Sequence, residues 1–192
     1  TERFEEKNQV SLKGDIFAES RLKTAAEQCK VELSAQESAV VRVPVLAEKD
    51  GCPLGLEETV TRELFESLIA GDLTRTRRPV NVALSDSGLH EGDLDMVLLA
   101  GGSTRIPAVR REIRGLLGIE PSAAIHPDYS IAEGAAVQAG IIGGAVETEK
   151  SLVMTDVNPY TLGVRTTDGY SSDVMSVIIP RNVTIPTTRR ER

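Results

Sequence analysis

Apolar residues recur every three or four positions near the start of the chain, which predicts a helix over 16–34. Its apolar face carries Leu22, Ala26, Cys29 and Leu33. The spacing changes to two over 38–46, which predicts a strand. Its valines on one side are Val41, Val43 and Val45. Pro44 lacks a backbone N–H, so we expect an edge strand or a bulge, and the turn residues at 48–51 predict a second, paired strand.

A helical spacing returns at Thr61, where a second helix is predicted to begin. Its apolar positions are Leu64, Phe65, Leu68 and Ile69. A further helix is predicted to start over 79–84 and to end near Gly88. The segment 90–95 is rich in charge and is predicted to be a polar loop.

The apolar run 96–100 is short and lies between a polar loop and two glycines, which predicts a strand buried on both faces. Pro107 suits the first turn of the next helix, which a glycine ends. The predicted buried stripe of this helix is Val109, Ile113, Leu116 and Leu117. A last helix is predicted from Ser130 to about residue 142, and Glu133 completes the spacing of a capping box.

The final part of the chain changes character. Residues 152–188 hold runs of Thr, Val and Ile broken by Asn-Pro, Asp-Gly and Pro-Arg-Asn, a pattern typical of β-hairpins. Charged residues at 147–150 separate it from the preceding block. The patterns together predict an α/β fold, in which helices, a hairpin and a strand–helix block precede a linker and a β-rich segment.

Composition narrows the function classes. The 192 residues are 40% hydrophobic but only 3% aromatic, so we expect a core of Leu, Val, Ile and Ala. A net charge of −7 argues against a general nucleic-acid-binding surface and is ordinary for a soluble cytoplasmic protein. The apolar runs are too short to span a membrane. Because the chain does not begin with Met, we expect it to be a piece of a larger protein.

Cysteine and histidine are sparse. Cys29 and Cys52 lie far apart, without a CxxC motif, and are expected to be reduced and structural. His90 and His126 are the only histidines, so no metal site is predicted, and His126 is expected to be an ordinary loop residue.

The turn after 96–100 carries residues suited to holding a ligand. Gly101 and Gly102 allow close approach to the backbone, and the start of the next helix presents unpaired N–H groups. Beside Ser103, Arg105 offers a planar cation that can lie on an aromatic ring such as adenine. The spacing and the lysine of a Walker A loop are absent, so the motif suits the base and sugar of a nucleotide. A plain turn with a surface arginine is the alternative interpretation.

Two further candidates flank this turn in sequence. Glu27, Lys30 and Ser34 lie together, about 100° around the first predicted helix from its apolar face. They could bracket ribose hydroxyls and an adenine edge, or they could be a solvated face with a weak ion pair. Asp128 is either a turn residue or a carboxylate aimed at a ligand of the glycine turn.

Five segments occur in an order that resembles the 70-kDa heat-shock chaperone family, most closely its bacterial DnaK-type members. They are AAEQCKVELSAQ, LLAGGSTRIPAV, HPDYSIAEGAAVQAGIIGG, DVNPYTLGV and IPRNVTIPT. The resemblance covers nearly the whole chain, and GGSTRIP followed by PD and GAAVQAG is highly specific. It implies a fragment of an actin-like ATPase domain, from its second lobe into the start of a substrate-binding domain.

The resemblance divides the chain into four parts. Residues 1–73 resemble the outer subdomain of lobe two, and 74–148 the later half of its inner subdomain. Residues 149–155 resemble the interdomain linker, and 156–192 the first strands of the peptide-binding β-sandwich. The linker positions are Leu152, Val153, Met154 and Thr155, of which the last interrupts the leucine-rich run usual in the family.

The resemblance also implies an adenosine site. Its contacts would be Glu27, Lys30, Ser34, Gly101, Gly102, Ser103, Arg105 and Asp128. Where some family members stack an arginine on the adenine, this chain has Val31, so apolar packing would replace that stack. The family's phosphate loops, catalytic lysine and Mg²⁺-organising aspartates would lie upstream of Thr1, so no catalytic residue and no metal ligand is expected in the chain.

The cofactor implied by the resemblance is ATP or ADP, with Mg²⁺ in the intact parent. The implied partners are unfolded client peptides, a J-domain protein and a nucleotide-exchange factor, in protein folding and the stress response. The parent would be an ATP hydrolase, and the chain alone inactive. An incomplete sheet predicts loose packing or self-association.

Two alternatives remain open. The chain could be a non-catalytic module that docks an exchange factor or co-chaperone through residues 16–58. It could also belong to another actin-like ATPase, such as a sugar kinase, although such proteins need no linker and β-rich tail like 152–188.

Overall fold

The computed structural model describes residues 1–145, 155–167 and 173–190. The chain forms two compact units, Thr1–Ala132 and Glu133–Arg192. The helices are α1 (Glu2–Asn8), α2 (Ile16–Ala35), α3 (Arg62–Ser87), α4 (Pro107–Leu117) and α5 (Ser130–Ile142). The strands are β1 (Ser38–Lys49), β2 (Cys52–Thr61), β3 (Asp156–Val157), β4 (Leu162–Thr166), β5 (Val174–Ile179) and β6 (Thr184–Ile185). This content confirms a mixed α/β chain.

Helix α2 packs on the β1–β2 hairpin and forms most of the core of the first unit. The helix begins where the Asp15 carboxylate accepts hydrogen bonds from two backbone N–H groups, each 3.0 Å long. Cys29 and Leu33 are buried against the hairpin residue Ala39, which confirms the C-terminal half of the predicted apolar face. A second cluster contains Phe4, Leu12, Ala18, Val43 and Leu46.

The hairpin carries a bulge that changes which side chains face the core. Strands β1 and β2 pair antiparallel, but their register shifts between Val43 and Ala47, which confirms the irregularity predicted at Pro44. Across this shift β1 advances four residues while β2 advances two. The alternation is interrupted there, so Leu46 is buried and Val45 is exposed. The prediction that Val45 shares a face with Val43 is therefore wrong.

Helix α3 is one continuous helix, so the separate helix predicted to start over 79–84 is wrong. Thr61 caps it as predicted, and Gly88 ends it with a left-handed φ of 70°. Pro79 lies inside the helix, where it removes one N–H donor without ending the element. The predicted apolar face is only half correct, because Leu64 and Leu68 are exposed.

Ion pairs join α3 to α4. Arg77 pairs with Glu112, and Arg111 pairs with Glu66. None of the α3 residues, all of which lie in the described part, is fully buried. The helix is therefore attached by ion pairs to α4 and by partly buried side chains such as Phe65, which packs on the cluster around Leu33.

The segment 96–100 does not form the buried strand that was predicted. It makes one parallel bridge, from Leu98 to Ser122, and the side chains of Met96 and Leu98 are 58% and 48% exposed. Over the described ranges no further strand covers them. An apolar run becomes buried only when other elements pack on it, which sequence periodicity alone does not establish.

Helices α4 and α5 have the predicted bounds, but two details differ. Of the predicted buried stripe of α4, only Leu117 is fully buried. Ala108, which was not part of that stripe, is buried as well. Ser130 lies within the first turn of α5, and its buried Oγ has no hydrogen-bond partner among the described residues. The predicted capping box with Glu133 is therefore not formed.

The β-rich segment of the second unit confirms the predicted hairpin character. Strands β4 and β5 pair antiparallel, as do β3 and β6. The Asn158 amide donates to the carbonyl oxygens of Tyr160, at 2.7 Å, and Pro180, at 3.0 Å. Leu152, Val153 and Met154 lie outside the described residues, while Thr155 is exposed. The four-part division of the chain stays a prediction.

Candidate functional site

A cleft of about 870 Å³ lies between the C-terminal half of α2 and the turn that precedes α4. From α2 it is lined by Glu27, Lys30, Val31, Ser34 and Ala35. From the turn and α4 it is lined by Gly102, Ser103, Thr104, Arg105, Ile106 and Arg110, and from the α4–α5 connection by Pro127 and Asp128. Of the residues predicted to contact adenosine, all except Gly101 therefore line this one cleft.

Gly101 shapes the turn without lining the cleft. Its φ of 97° and ψ of 145° belong to a region that side-chain-bearing residues rarely adopt. Its N–H donates to the Pro127 carbonyl, at 2.7 Å, and its own carbonyl accepts from the N–H and the hydroxyl of Thr104. These bonds join the turn to the connection that carries Asp128.

The residues after Gly101 form a short 3₁₀ turn, Gly102–Arg105, before α4 begins at Pro107. The cleft therefore faces this turn, whereas the sequence predicted the N–H groups of a helix start. A Cβ built on Gly102 would lie 3.6 Å from the Asp128 carboxylate, so the glycine leaves space at the wall of the cleft.

Arg105 is held by the carboxylate of Asp128. Its Nε lies 3.1 Å from Oδ2, and its Nη2 lies 2.6 Å from the same oxygen. The hydrogen bond from Arg105 lowers the pKa of Asp128, and the carboxylate in turn raises the pKa of Arg105. The guanidinium plane is thus fixed by a double contact with a carboxylate that stays ionised at neutral pH.

Two further residues complete this cluster. The Nη2 atom of Arg105 lies 3.3 Å from Nε2 of His126, and Nδ1 of His126 lies 3.3 Å from the backbone nitrogen of Asp128. The ring of Tyr129 stacks on His126 with centroids 4.4 Å apart. His126 was predicted to be an ordinary loop residue. In the sequence, a histidine and a tyrosine lie close to Asp128 on either side. That pattern alone does not show that the histidine contacts Arg105.

The α2 wall is polar at its ends and apolar between them. Lys30 Nζ lies 2.6 Å from the Glu27 carboxylate, and the Ser34 hydroxyl donates to the Lys30 carbonyl at 3.4 Å. Val31 lies between them with an exposed side chain. Behind this wall, burial raises the pKa of the Cys29 thiol, with a smaller contribution from Glu32. Cys29 is therefore a core residue, as expected.

The arrangement suits a flat polar ligand better than a polyanion. Each cation of the cleft already has an acceptor: Lys30 has Glu27, Arg105 has Asp128, and Arg110 has the Pro121 carbonyl at 2.7 Å. The volume lies within the range of small-molecule sites. Apolar wall atoms and a planar guanidinium can contact a ring, while the paired charges offer donors and acceptors to hydroxyl groups. The cleft therefore offers contacts to a planar ring and to hydroxyl groups.

Metal-binding clusters and membrane-spanning helices are absent from the described part of the chain. Within the described ranges, no group of three or more His, Cys, Asp or Glu side chains could hold a metal ion. Over the same ranges, none of the helices has the length and apolar character needed to cross a bilayer.

Comparison with known proteins gives consistent matches. The sequence model of the family described as Hsp70 protein matches residues 1–192. The chain is 45% identical over 192 residues to the chaperone protein DnaK of Thermus thermophilus, covering 99% of this chain and 30% of that protein. It is 42% identical over 189 residues to dnaK of Phaeodactylum tricornutum, covering 98% of this chain and 30% of that protein. For DnaK of Trichormus variabilis the identity is 43% over 190 residues, covering 99% and 27%. The chain thus spans less than a third of the length of these relatives.

Proposed function

Because this chain belongs to the Hsp70 protein family, we propose that it is part of an ATP-dependent protein-folding chaperone and provides the adenosine-binding half of its nucleotide site. One observation carries the proposal. The polar face of α2 and the glycine turn are far apart in sequence, yet they line a single cleft. A solvated helix face and a plain surface turn would have no reason to converge.

Each wall has a distinct part in binding. Arg105, oriented by Asp128, lies against the adenine ring and contributes a cation–π contact. Glu27, Lys30 and Ser34 exchange hydrogen bonds with the ribose hydroxyls and the adenine edge. Val31 supplies apolar contact on the opposite side of the ring.

The same proposal places the chemistry of ATP outside this chain. ATP with Mg²⁺ supplies a phosphoryl group for hydrolysis, and that step needs positioned cations around the γ-phosphate. The cleft cations are already paired with acceptors in this chain. We therefore expect adenosine and ADP to bind the isolated chain with similar affinity.

The remaining segments would connect nucleotide binding to client binding. In the whole protein, ATP closes the cleft and docks the linker at 152–155, which opens the peptide site that begins within 156–192. Hydrolysis then traps the client. Unfolded client peptides, a J-domain protein and a nucleotide-exchange factor are the proposed partners.

Calorimetric titration of the chain with adenosine tests the site. Arg105→Ala should weaken binding about five-fold, because a partly exposed cation–π contact contributes about 1 kcal/mol. Lys30→Ala should weaken it by a similar factor through lost hydrogen bonds, each of which contributes about 1 kcal/mol. Unchanged affinity in both variants would show that the site is wrongly assigned.

Matched control variants separate the site from general effects of charge. Lys23 lies exposed on α2 outside the cleft, and Arg78 lies exposed on α3. Lys23→Ala and Arg78→Ala remove the same charges, so they should leave adenosine affinity unchanged. A loss of affinity in these controls would point to net charge instead of to cleft contacts.

One observation favours a second candidate, a module that docks an exchange factor or co-chaperone through residues 16–58. Ile16 and Phe17 are neighbours at the start of α2, and each side chain is 77% exposed. Adjacent exposed apolar side chains are typical of contact surfaces. If docking is the function, Phe17→Asp should abolish capture of a purified exchange factor without changing adenosine affinity.

A further inference from the structure

His126 touches the cleft through another residue. Within the described part of the chain it is not among the lining residues, yet its Nε2 lies 3.3 Å from Nη2 of Arg105, which does line the cleft. Its ring stacks on Tyr129 with centroids 4.4 Å apart, and the backbone nitrogen of Asp128 lies 3.3 Å from Nδ1. The ring therefore has a defined orientation towards Arg105.

Hydrogen-bond chemistry limits what this ring can do. Both neighbours are donors, since the Asp128 N–H and the Arg105 guanidinium carry protons and no acceptor. A neutral imidazole has one lone pair available, so it accepts from only one of them at a time. The bond from the charged guanidinium is the stronger, so the tautomer with its lone pair on Nε2 accepts from Arg105 and gives up the hydrogen bond from the Asp128 N–H. A protonated imidazole accepts from neither.

We propose that His126 is a positioning residue for Arg105, held in place by Tyr129, and that protonation of His126 weakens adenosine binding in the cleft. The proposal rests on the proposed adenosine site. Protonation removes the acceptor for Nη2 and places a second cation beside the guanidinium. Arg105 then keeps its contacts with the Asp128 carboxylate but lacks a second acceptor, so its guanidinium is less firmly oriented against a ring.

Two arginines, a carboxylate and a phenol surround the His126 ring. Arg105 and Arg110 line the same small cavity of about 270 Å³ as His126, and both guanidiniums stay charged in the physiological range. Asp128 stays ionised there because the hydrogen bond from Arg105 lowers its pKa. The phenol ring of Tyr129 stacks on the imidazole. An imidazole ordinarily changes charge between about pH 5 and pH 8.

Adenosine titrations at two pH values test the consequence for binding. Adenosine itself has no group that titrates between about pH 5.5 and pH 8, so any change reports on the protein. We expect the dissociation constant to rise by up to about five-fold at the lower pH, because Arg105 contributes a cation–π contact of about 1 kcal/mol that its loosened orientation weakens. His126→Asn, which cannot be protonated, should show the same affinity at both values.

The chain offers a matched control and a test of the stacked ring. His90 is the other histidine and lies in the separate 3₁₀ turn region at Glu91–Asp93, so His90→Asn should keep the full pH dependence. Tyr129→Phe keeps the ring and should behave as the unaltered chain. Tyr129→Ala removes the ring and should weaken binding at the higher pH. Equal affinity of the unaltered chain at both pH values would overturn the inference.

A measurement without ligand distinguishes this inference from the adenosine proposal. The side-chain Nε–H resonance of Arg105 should shift with pH along the titration curve of the His126 ring, and His126→Asn should abolish that shift. If adenosine fails to bind at every pH while Arg105 still follows His126, the proposed site is wrong and the positioning role is supported. If Arg105 does not follow His126, the positioning role is wrong whether or not adenosine binds.

Discussion

Neighbouring glycines of the turn should respond to alanine in opposite ways. Gly101 has a φ of 97° and a ψ of 145°, and hydrogen bonds fix both its N–H and its carbonyl. An alanine there cannot relax to a negative φ without breaking the bond to Pro127. Gly102 has no positive φ, and an added Cβ would meet the Asp128 carboxylate at 3.6 Å, an ordinary contact distance.

The magnitudes follow from backbone strain and chain entropy. A residue forced into such a conformation costs about 1–3 kcal/mol. Against this, alanine reduces the entropy of the unfolded chain, which stabilises the folded state by about 0.4–1 kcal/mol. Gly101→Ala should therefore lower the free energy of unfolding by about 1–2 kcal/mol. Gly102→Ala keeps the entropy term without the strain, so its free energy of unfolding should be unchanged or slightly higher.

Urea unfolding followed by circular dichroism measures this difference. With a slope of about 2 kcal/mol per molar urea, the midpoint of Gly101→Ala should fall by about 0.5–1 M. Adenosine titration then separates stability from binding. The methyl group of Gly102→Ala projects into the cleft wall, so this variant should unfold like the unaltered chain but bind adenosine at least several-fold more weakly.

Two results would refute this reasoning. An unchanged midpoint for Gly101→Ala would mean that the turn relaxes without cost, and that its conformation does not depend on glycine. A Gly102→Ala variant that loses as much stability as Gly101→Ala would mean that the two positions are not distinguished by φ. Either result would remove the structural basis for assigning them separate roles.

Three further predictions concern charge and thiols in the first unit. The hydrogen bond from Arg105 lowers the folded-state pKa of Asp128. The stability that this carboxylate contributes is therefore present above the ordinary carboxyl pKa and is lost as the pH falls through the lowered value. In a plot of stability against pH, Asp128→Asn should reduce the loss of stability below about pH 4. The Glu66 carboxylate is largely buried, and its Oε1 has no hydrogen-bond partner within the described part of the chain. Arg111→Ala removes its ion pair, so the free energy of unfolding should fall by about 1–3 kcal/mol in thermal or urea unfolding. Cys52 is exposed whereas the Cys29 thiol is buried with a raised pKa, so a thiol reagent should label Cys52 in the folded chain and reach Cys29 only after unfolding; rapid labelling of both would contradict the packing of α2.

Local chemistry was enough to predict most of the longer helices. The bounds of α2 and α5 follow from hydrophobic spacing, and the ends of α3 and α4 follow from Gly88 and Gly118, which adopt left-handed φ values. Each of these features depends on residues within a few positions of one another. The polar face of α2 was predicted for the same reason, because helical geometry alone brings Glu27, Lys30 and Ser34 together.

Features that depend on distant contacts were not predicted. Pro79 was expected to start a helix, but it lies inside α3. It removes one backbone hydrogen-bond donor from the helix, and the helix continues past it. Leu98 was expected to be buried, but burial requires covering strands that the apolar run does not specify. The contact between His126 and Arg105 spans 21 positions and depends on how the turn meets the α4–α5 connection, where the Gly101 N–H also donates to the Pro127 carbonyl.

The central claim is that α2 and the glycine turn form one adenosine site. The most direct test is an NMR titration with adenosine that follows the backbone amide resonances of both walls. Adenosine should shift the amides of Lys30 and Ser34 and those of Gly102 and Arg105 with a single dissociation constant, because both walls line the same cleft. The amides of the outlying hairpin turn at Asp50 should stay unchanged. Shifts confined to one wall, two different dissociation constants, or no shift at either wall would contradict the account.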